Sequence, residues 1–180
     1  MNKKKNKAKT IVIAVLVALI VAVSSLNCRI HFSHRWKVKP YQVEHYSKPQ
    51  NYAEFIDRSD LKLWVKNLVD TPHIYHEKAN LPQLARTSIL FRSITIRKGL
   101  DNETFALTYA HELVHIKYLC QNETYTSYKT FVILYESKNV TLRNVAERYA
   151  IDVLAGGWKG TAYDIGYYIQ NYLNKRNIKL

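Results

Sequence analysis

His111, Glu112, Leu113, Val114 and His115 form the run HELVH. Two histidines four positions apart on a helix project from one face, one turn apart, and can share a single ion; the glutamate beside the first reaches a water held next to that ion. The chemistry of such a set is metal-assisted hydrolysis. Zinc brings the pKa of a bound water towards about 7 and polarises the carbonyl under attack, while the glutamate takes the water's proton and passes it to the leaving amine. Zn2+ is the expected cofactor, His111 and His115 are two of its ligands, Glu112 is the catalytic base, and peptide hydrolysis is the natural reaction. The competing reading is a pair of helix histidines bonded to backbone or core partners. Burying two imidazoles and a carboxylate without a shared purpose is costly, which favours the metal.

A catalytic zinc keeps three protein ligands and leaves its fourth position to water. A third histidine six positions after His115 is excluded, because Gln121 stands there. The carboxylates downstream are Glu123, Glu136, Glu147, Asp152 and Asp164. Glu147 is the expected third ligand: it lies on a separate predicted helix with a strong apolar face, far enough along the chain for an antiparallel return. Glu123 follows the helix end closely, would need a tight reversal, and ranks second. The bland role of Glu147 is an exposed charge paired with Arg143 or Arg148. A donor for the transition-state oxyanion is also needed, and Tyr149, Arg148, Tyr163 and His73 are open alternatives.

HELVH followed by Glu147-Arg148-Tyr149-Ala150-Ile151-Asp152 resembles the two-helix metal site of the gluzincin peptidases, whose third ligand is a glutamate on a later helix in an ExxAD pattern. It is similar to small zinc proteases of the ImmA/IrrE group, which carry a strand, a helix with HExxH and then a Glu-containing helix; the membrane-bound HtpX-type proteases share both motifs. The resemblance covers about residues 88 to 156. It implies a zincin-like fold and a carboxylate that orients a ligand histidine. Ile151 stands where the family pattern has Asp or Asn, which leaves Asp152, one place later, for that role.

The elements that must position these residues follow from pattern. Asp101 suits an N-cap, Glu103 suits the positive end of a helix dipole, and a helix is expected from about Asn102 to Leu119. Its apolar positions, Phe105, Leu107, Ala110, Leu113, Val114 and Ile116, cover more than half the circumference, as in a buried helix. Before it, Ser88 to Arg97 reads as one strand or a bent pair closed by Gly99, and His73 to Pro82 as loop. From near Tyr52, one or two helices are expected to end before Pro72. After it, Thr124 to Lys129 is polar, Phe131 to Tyr135 is helix or strand, and two more helices run from Thr141 or Asn144 to Gly156 and from Tyr163 to Asn174. The expected fold class is α+β: a mostly helical small zincin-like domain with a short β-sheet, preceded by one N-terminal transmembrane helix.

That last element rests on Lys3, Lys4, Lys5, Lys7 and Lys9 followed by an apolar run from Ile11 to Val23. Thr10 to Leu26 reaches the lower limit of about 17 residues for crossing a membrane, and a cleaved signal peptide is the alternative. Residues 1–28 are therefore expected to be a membrane anchor or signal segment, 29–50 a juxtamembrane linker and 51–180 the metallopeptidase-like domain, placed on the extracytoplasmic side by the lysines, or secreted if the segment is cleaved. Of 180 residues, 47% are hydrophobic and 12% aromatic, enough for one core. The net charge is +13, and +8 remains after residue 28, with 22 basic residues against 14 acidic. Such a surface suits anionic partners or simple solvation. No Gly-rich phosphate loop, zinc finger or repeated Arg and aromatic pattern points to a specific nucleic-acid partner. Cys28 and Cys120 could pair in an oxidising compartment, with free thiols the plainer expectation.

The leading expectation is a membrane-tethered zinc endopeptidase acting on a protein or peptide substrate. The main alternative is a non-catalytic membrane-anchored basic domain whose metal site is structural and which binds an acidic partner or lipid. A third places the domain in the cytosol, cutting a regulator.

Overall fold

The computed structural model describes residues 13–20, 48–156, 162–178 and 180. Residues 13–20 are helical, and no helix of the described residues is long and apolar enough to cross a membrane. The rest of the expected anchor, Cys28 and most of the linker lie outside the described residues.

From Tyr52 the order is a 3-10 turn Tyr52–Phe55, α1 Arg58–Val69, β1 Ile74–Lys78, β2 Ala85–Ser88, β3 Ser93–Arg97, α2 Asn102–Tyr118, α3 Glu123–Tyr135, α4 Val140–Leu154 and α5 Ala162–Lys175. The class is α+β, as expected. The sheet order is β1-β3-β2, with β1 parallel and β2 antiparallel to β3. Ile94 and Ile96 alternate with half-exposed neighbours, so one face of β3 is buried on the helices. Of the expected Ser88–Arg97 stretch, only residues 93–97 form a strand, β3; Ser88 ends β2, which starts earlier than expected at Ala85, and residues 89–92 are the turn that joins the two. Two more expectations need correction. The stretch read as loop contains β1, whose residues are mostly exposed and pair only with β3, so no alternating apolar face marks it. The polar stretch after residue 123 is the first half of α3, not a separate segment.

α2 is the central helix. The Asp101 side chain accepts from the Thr104 N–H at 2.8 Å and caps its start. The Asn102 amide then donates to the carbonyls of Ala53 (3.0 Å) and Ile56 (2.7 Å), fastening the start to the 3-10 turn. Phe105, Tyr109, Ala110, Leu113, Val114 and Ile116 are all buried, and so is Ala106. A buried tyrosine needs a partner for its hydroxyl. Tyr109 finds it in His73 Nε2 at 2.6 Å, while His73 Nδ1 lies 2.9 Å from the Thr71 carbonyl. α1, α3 and α4 all pack on α2, and α5 packs on α3 and α4. Full burial of each large apolar side chain contributes about 1.5–3 kcal/mol, so the helix carrying HELVH is held rigid by its own packing.

Candidate metal centre

One local feature turns α2 back on itself. Leu119 adopts a left-handed conformation (φ 48°) as C-cap of α2, and Asn122 caps α3 by accepting from the Tyr125 N–H at 2.9 Å. The reversal that the sequence makes look demanding therefore takes only four residues. It carries Glu123, the first residue of α3, over the face of α2 from which the two histidines project. An acidic residue there also suits the positive end of the α3 dipole.

The three side chains converge. His111 Nε2 lies 3.1 Å from His115 Nε2 and 3.0 Å from Glu123 Oε2, and His115 Nε2 lies 3.4 Å from Glu123 Oε1. Zinc bonds of about 2.0–2.1 Å in tetrahedral geometry separate neighbouring donors by roughly 3.3 Å, which these spacings match. Among the described residues, His111, His115 and Glu123 form the group whose ligand atoms all fall within 4.8 Å of one another. The ring of His115 is fixed by its other nitrogen: Nδ1 is 2.5 Å from the Cys120 carbonyl, with Thr126 Oγ1 at 3.3 Å. A carbonyl only accepts, so Nδ1 carries the proton, and in the neutral ring the Nε2 lone pair points at the convergence point. His111 Nδ1 faces Ser127 Oγ at 3.5 Å. The donor set, two imidazoles and one carboxylate with their outer nitrogens occupied, fits zinc.

The expected third ligand stands elsewhere. Glu147 lies on α4 and acts electrostatically on Tyr135. Tyr135 is the last residue of α3 and Glu123 the first, about 18 Å apart at ~1.5 Å rise per residue. The structure brings Glu123, and not Glu147, to the histidines, because the short reversal makes a nearby carboxylate available before the chain reaches α4. Asp152 is likewise absent from the cluster: it pairs with Lys48. The orienting role falls to the Cys120 carbonyl instead, a main-chain group that residue types do not reveal. Cys120 itself is buried, and its Sγ accepts from the Asn122 N–H at 3.4 Å.

Glu112 sits beside the cluster on α2. Its carboxylate accepts from the Thr87 hydroxyl of strand β2, a partner that no motif marked. It lines a groove of about 1300 Å³ together with His115 and Glu123. A second cavity of about 340 Å³ is bounded by His111, Glu112 and Glu123 together with Ser127, Thr130 and Tyr149. The Glu123 side chain is 65% exposed while His111 and His115 are 20% and 8% exposed, so the convergence point opens to the groove through the carboxylate side.

Of the three oxyanion candidates whose side chains are described, Tyr149 alone borders the smaller cavity. Arg148 is paired with Glu103 at 2.9 Å, His73 is bonded to Tyr109, and the Tyr163 side chain lies outside the described residues. Burial pushes the Tyr149 hydroxyl up to about 12, against a smaller opposing effect of its hydrogen bond with Ser127, so it remains a protonated donor.

Burial acts against a charged His115, but the Glu123 carboxylate and the Cys120 carbonyl outweigh it and raise its pKa. Hydrogen bonds from His111 and His115 hold Glu123 well below the usual carboxylate range. In the metal-free chain, the His115 contribution to stability is full below the unfolded histidine value and is lost as pH rises through the raised one. Zinc needs the neutral ring, so its affinity runs the other way. Melting with and without zinc between about pH 5 and 8 is expected to show the zinc-induced rise in Tm growing with pH. A constant increment across that window contradicts the assignment of His115 as a ligand.

Compared with protein-family models, with curated proteins and with solved structures, the chain matches none.

Proposed function

We propose that this chain is a zinc-dependent peptidase, tethered to a membrane by its N-terminal segment with the domain on the extracytoplasmic side. The observation that carries the hydrolytic reading is the convergence of His111, His115 and Glu123 at zinc-like spacings, with Glu112 on the same helix facing the same groove. His111 Nε2, His115 Nε2 and a Glu123 oxygen would hold the ion. Bound there, zinc supplies a Lewis acid that polarises a carbonyl and makes water acidic near neutral pH.

The chain's own residues do the rest. Thr87 donates to Glu112 and so fixes one carboxylate oxygen, which leaves the other to accept a proton from water in the groove. The same carboxyl group then returns that proton to the departing amine. Tyr149, in the smaller cavity that Glu112 also borders, offers a hydroxyl to an oxygen that gains charge on that side of the cluster. Edge strand β2 lends Arg86, Thr87 and Ser88 to the wall of the groove, and the size of the groove suits an extended chain better than a small molecule. An unstructured protein is therefore the substrate class.

The test is hydrolysis of casein by the zinc-loaded protein. Chelation is expected to abolish it and zinc to restore it. Tyr149→Phe is expected to lower kcat by about 10²-fold, the scale of losing one oxyanion donor, with zinc content unchanged. Proteolysis that persists after complete zinc removal rules the proposal out.

A further inference from the structure

The end of the sheet beside the groove is apolar and uncovered. Leu90 and Phe91, each 71% exposed, sit in the turn between β2 and β3. Ile74, 56% exposed, opens β1 next to them, since its N–H bonds the Arg92 carbonyl at 2.8 Å. Scattered exposed apolar residues are ordinary, but large ones gathered at one end mark a partner. The hairpin, residues 85–97, carries Arg86, Arg92 and Arg97 and no acidic residue.

A second apolar surface adjoins it. In the helical residues 13–20, Ala14, Val17 and Ala18 share one face by their spacing, and they line the groove together with Ile89 and Leu90. On the remaining faces Ile13, Val15, Leu16, Leu19 and Ile20 are all more than half exposed. This helix has no polar side that would face water if a protein partner covered one flank. A bilayer covers at once all the flanks that the groove leaves bare.

We infer that the β2–β3 turn is a membrane-inserting finger, with Leu90 and Phe91 entering the interfacial layer of an anionic bilayer alongside the apolar N-terminal segment. Arg86 and the exposed Arg92 then lie at headgroup level, where anionic lipid attracts them, and the +8 charge of the chain after residue 28 acts in the same direction. The inference stands without the metal chemistry. Where the proposed peptidase activity also holds, it says more: Ile89 and Leu90 share their groove with Glu112, His115 and Glu123, so the site opens at the membrane surface and its substrate is a segment of protein lying close to a bilayer.

The test uses the full chain in vesicles of phosphatidylcholine with phosphatidylglycerol, comparing Phe91→Trp with Val140→Trp, a surface position 68% exposed on α4. Emission above the wild-type background is expected to shift to the blue and to be quenched by brominated lipid for Phe91→Trp, while Val140→Trp stays accessible to aqueous acrylamide. Weaker quenching in phosphatidylcholine alone is expected from the loss of charge attraction. A chain that remains in the aqueous fraction overturns both the finger and the tether. A bound Phe91→Trp chain whose added emission is untouched by brominated lipid overturns the finger alone, and a blue shift without that quenching means that residues 13–20 cover the turn instead. Equal quenching at both positions also overturns it, because insertion would then not be specific to the hairpin.

Discussion

Glu112→Gln is expected to keep its bound zinc and to lose about 10²–10⁴-fold in casein hydrolysis, the range that a positioned base contributes. Glutamine has nearly the same shape, and its amide oxygen still accepts from Thr87, so the helix and the ligands are undisturbed. What it lacks is basicity. An amide cannot take a proton from water, and no other carboxylate with a free oxygen stands in its place among the described residues of the cluster, because Glu123 is engaged with both imidazoles. Zinc content measured beside turnover separates the two roles: a variant that keeps both its zinc and its activity removes Glu112 from the mechanism.

The second large effect concerns the third ligand. Glu123→Ala is expected to weaken zinc binding by more than the roughly 10–100-fold that loss of an outer-shell partner costs, while Glu147→Ala binds zinc as the wild type does. The reason is geometric: Glu123 oxygens lie 3.0 and 3.4 Å from the histidine nitrogens, whereas Glu147 acts on Tyr135 at the far end of α3. Competition against a chromogenic chelator measures both. The reverse order of effects would return the third ligand to α4 and require that helix to move when metal binds.

The contrast between those two glutamates shows where local pattern succeeds and where it stops. HELVH was legible because the requirement is local, a spacing of four on one helix, and the apolar residues around it announced a buried helix with a capped start at Asp101. The choice between Glu123 and Glu147 was not local. It turned on the conformation of Leu119, a non-glycine residue in a left-handed cap, where the usual glycine signal for a helix end is missing. Asn122 followed by Glu123 was nonetheless an available sign, an N-cap with an acid in the first turn, hidden by the Tyr and Thr content of α3. β1 escaped for a different reason: as an exposed edge strand it buries little, so Ile74–Lys78 carries no periodic apolar face. Thr87 meets Glu112 through tertiary contact, and the Cys120 carbonyl reaches His115 through the turn that ends α2, a main-chain group that residue types do not mark.

X-ray absorption at the zinc edge of the zinc-loaded full chain tests the central claim most directly. Two imidazole nitrogens at about 2.0–2.1 Å and a carboxylate oxygen at about 2.0–2.2 Å are expected around one zinc. A shell containing sulfur, or one of oxygens alone with no imidazole signature, would contradict the site formed by His111, His115 and Glu123.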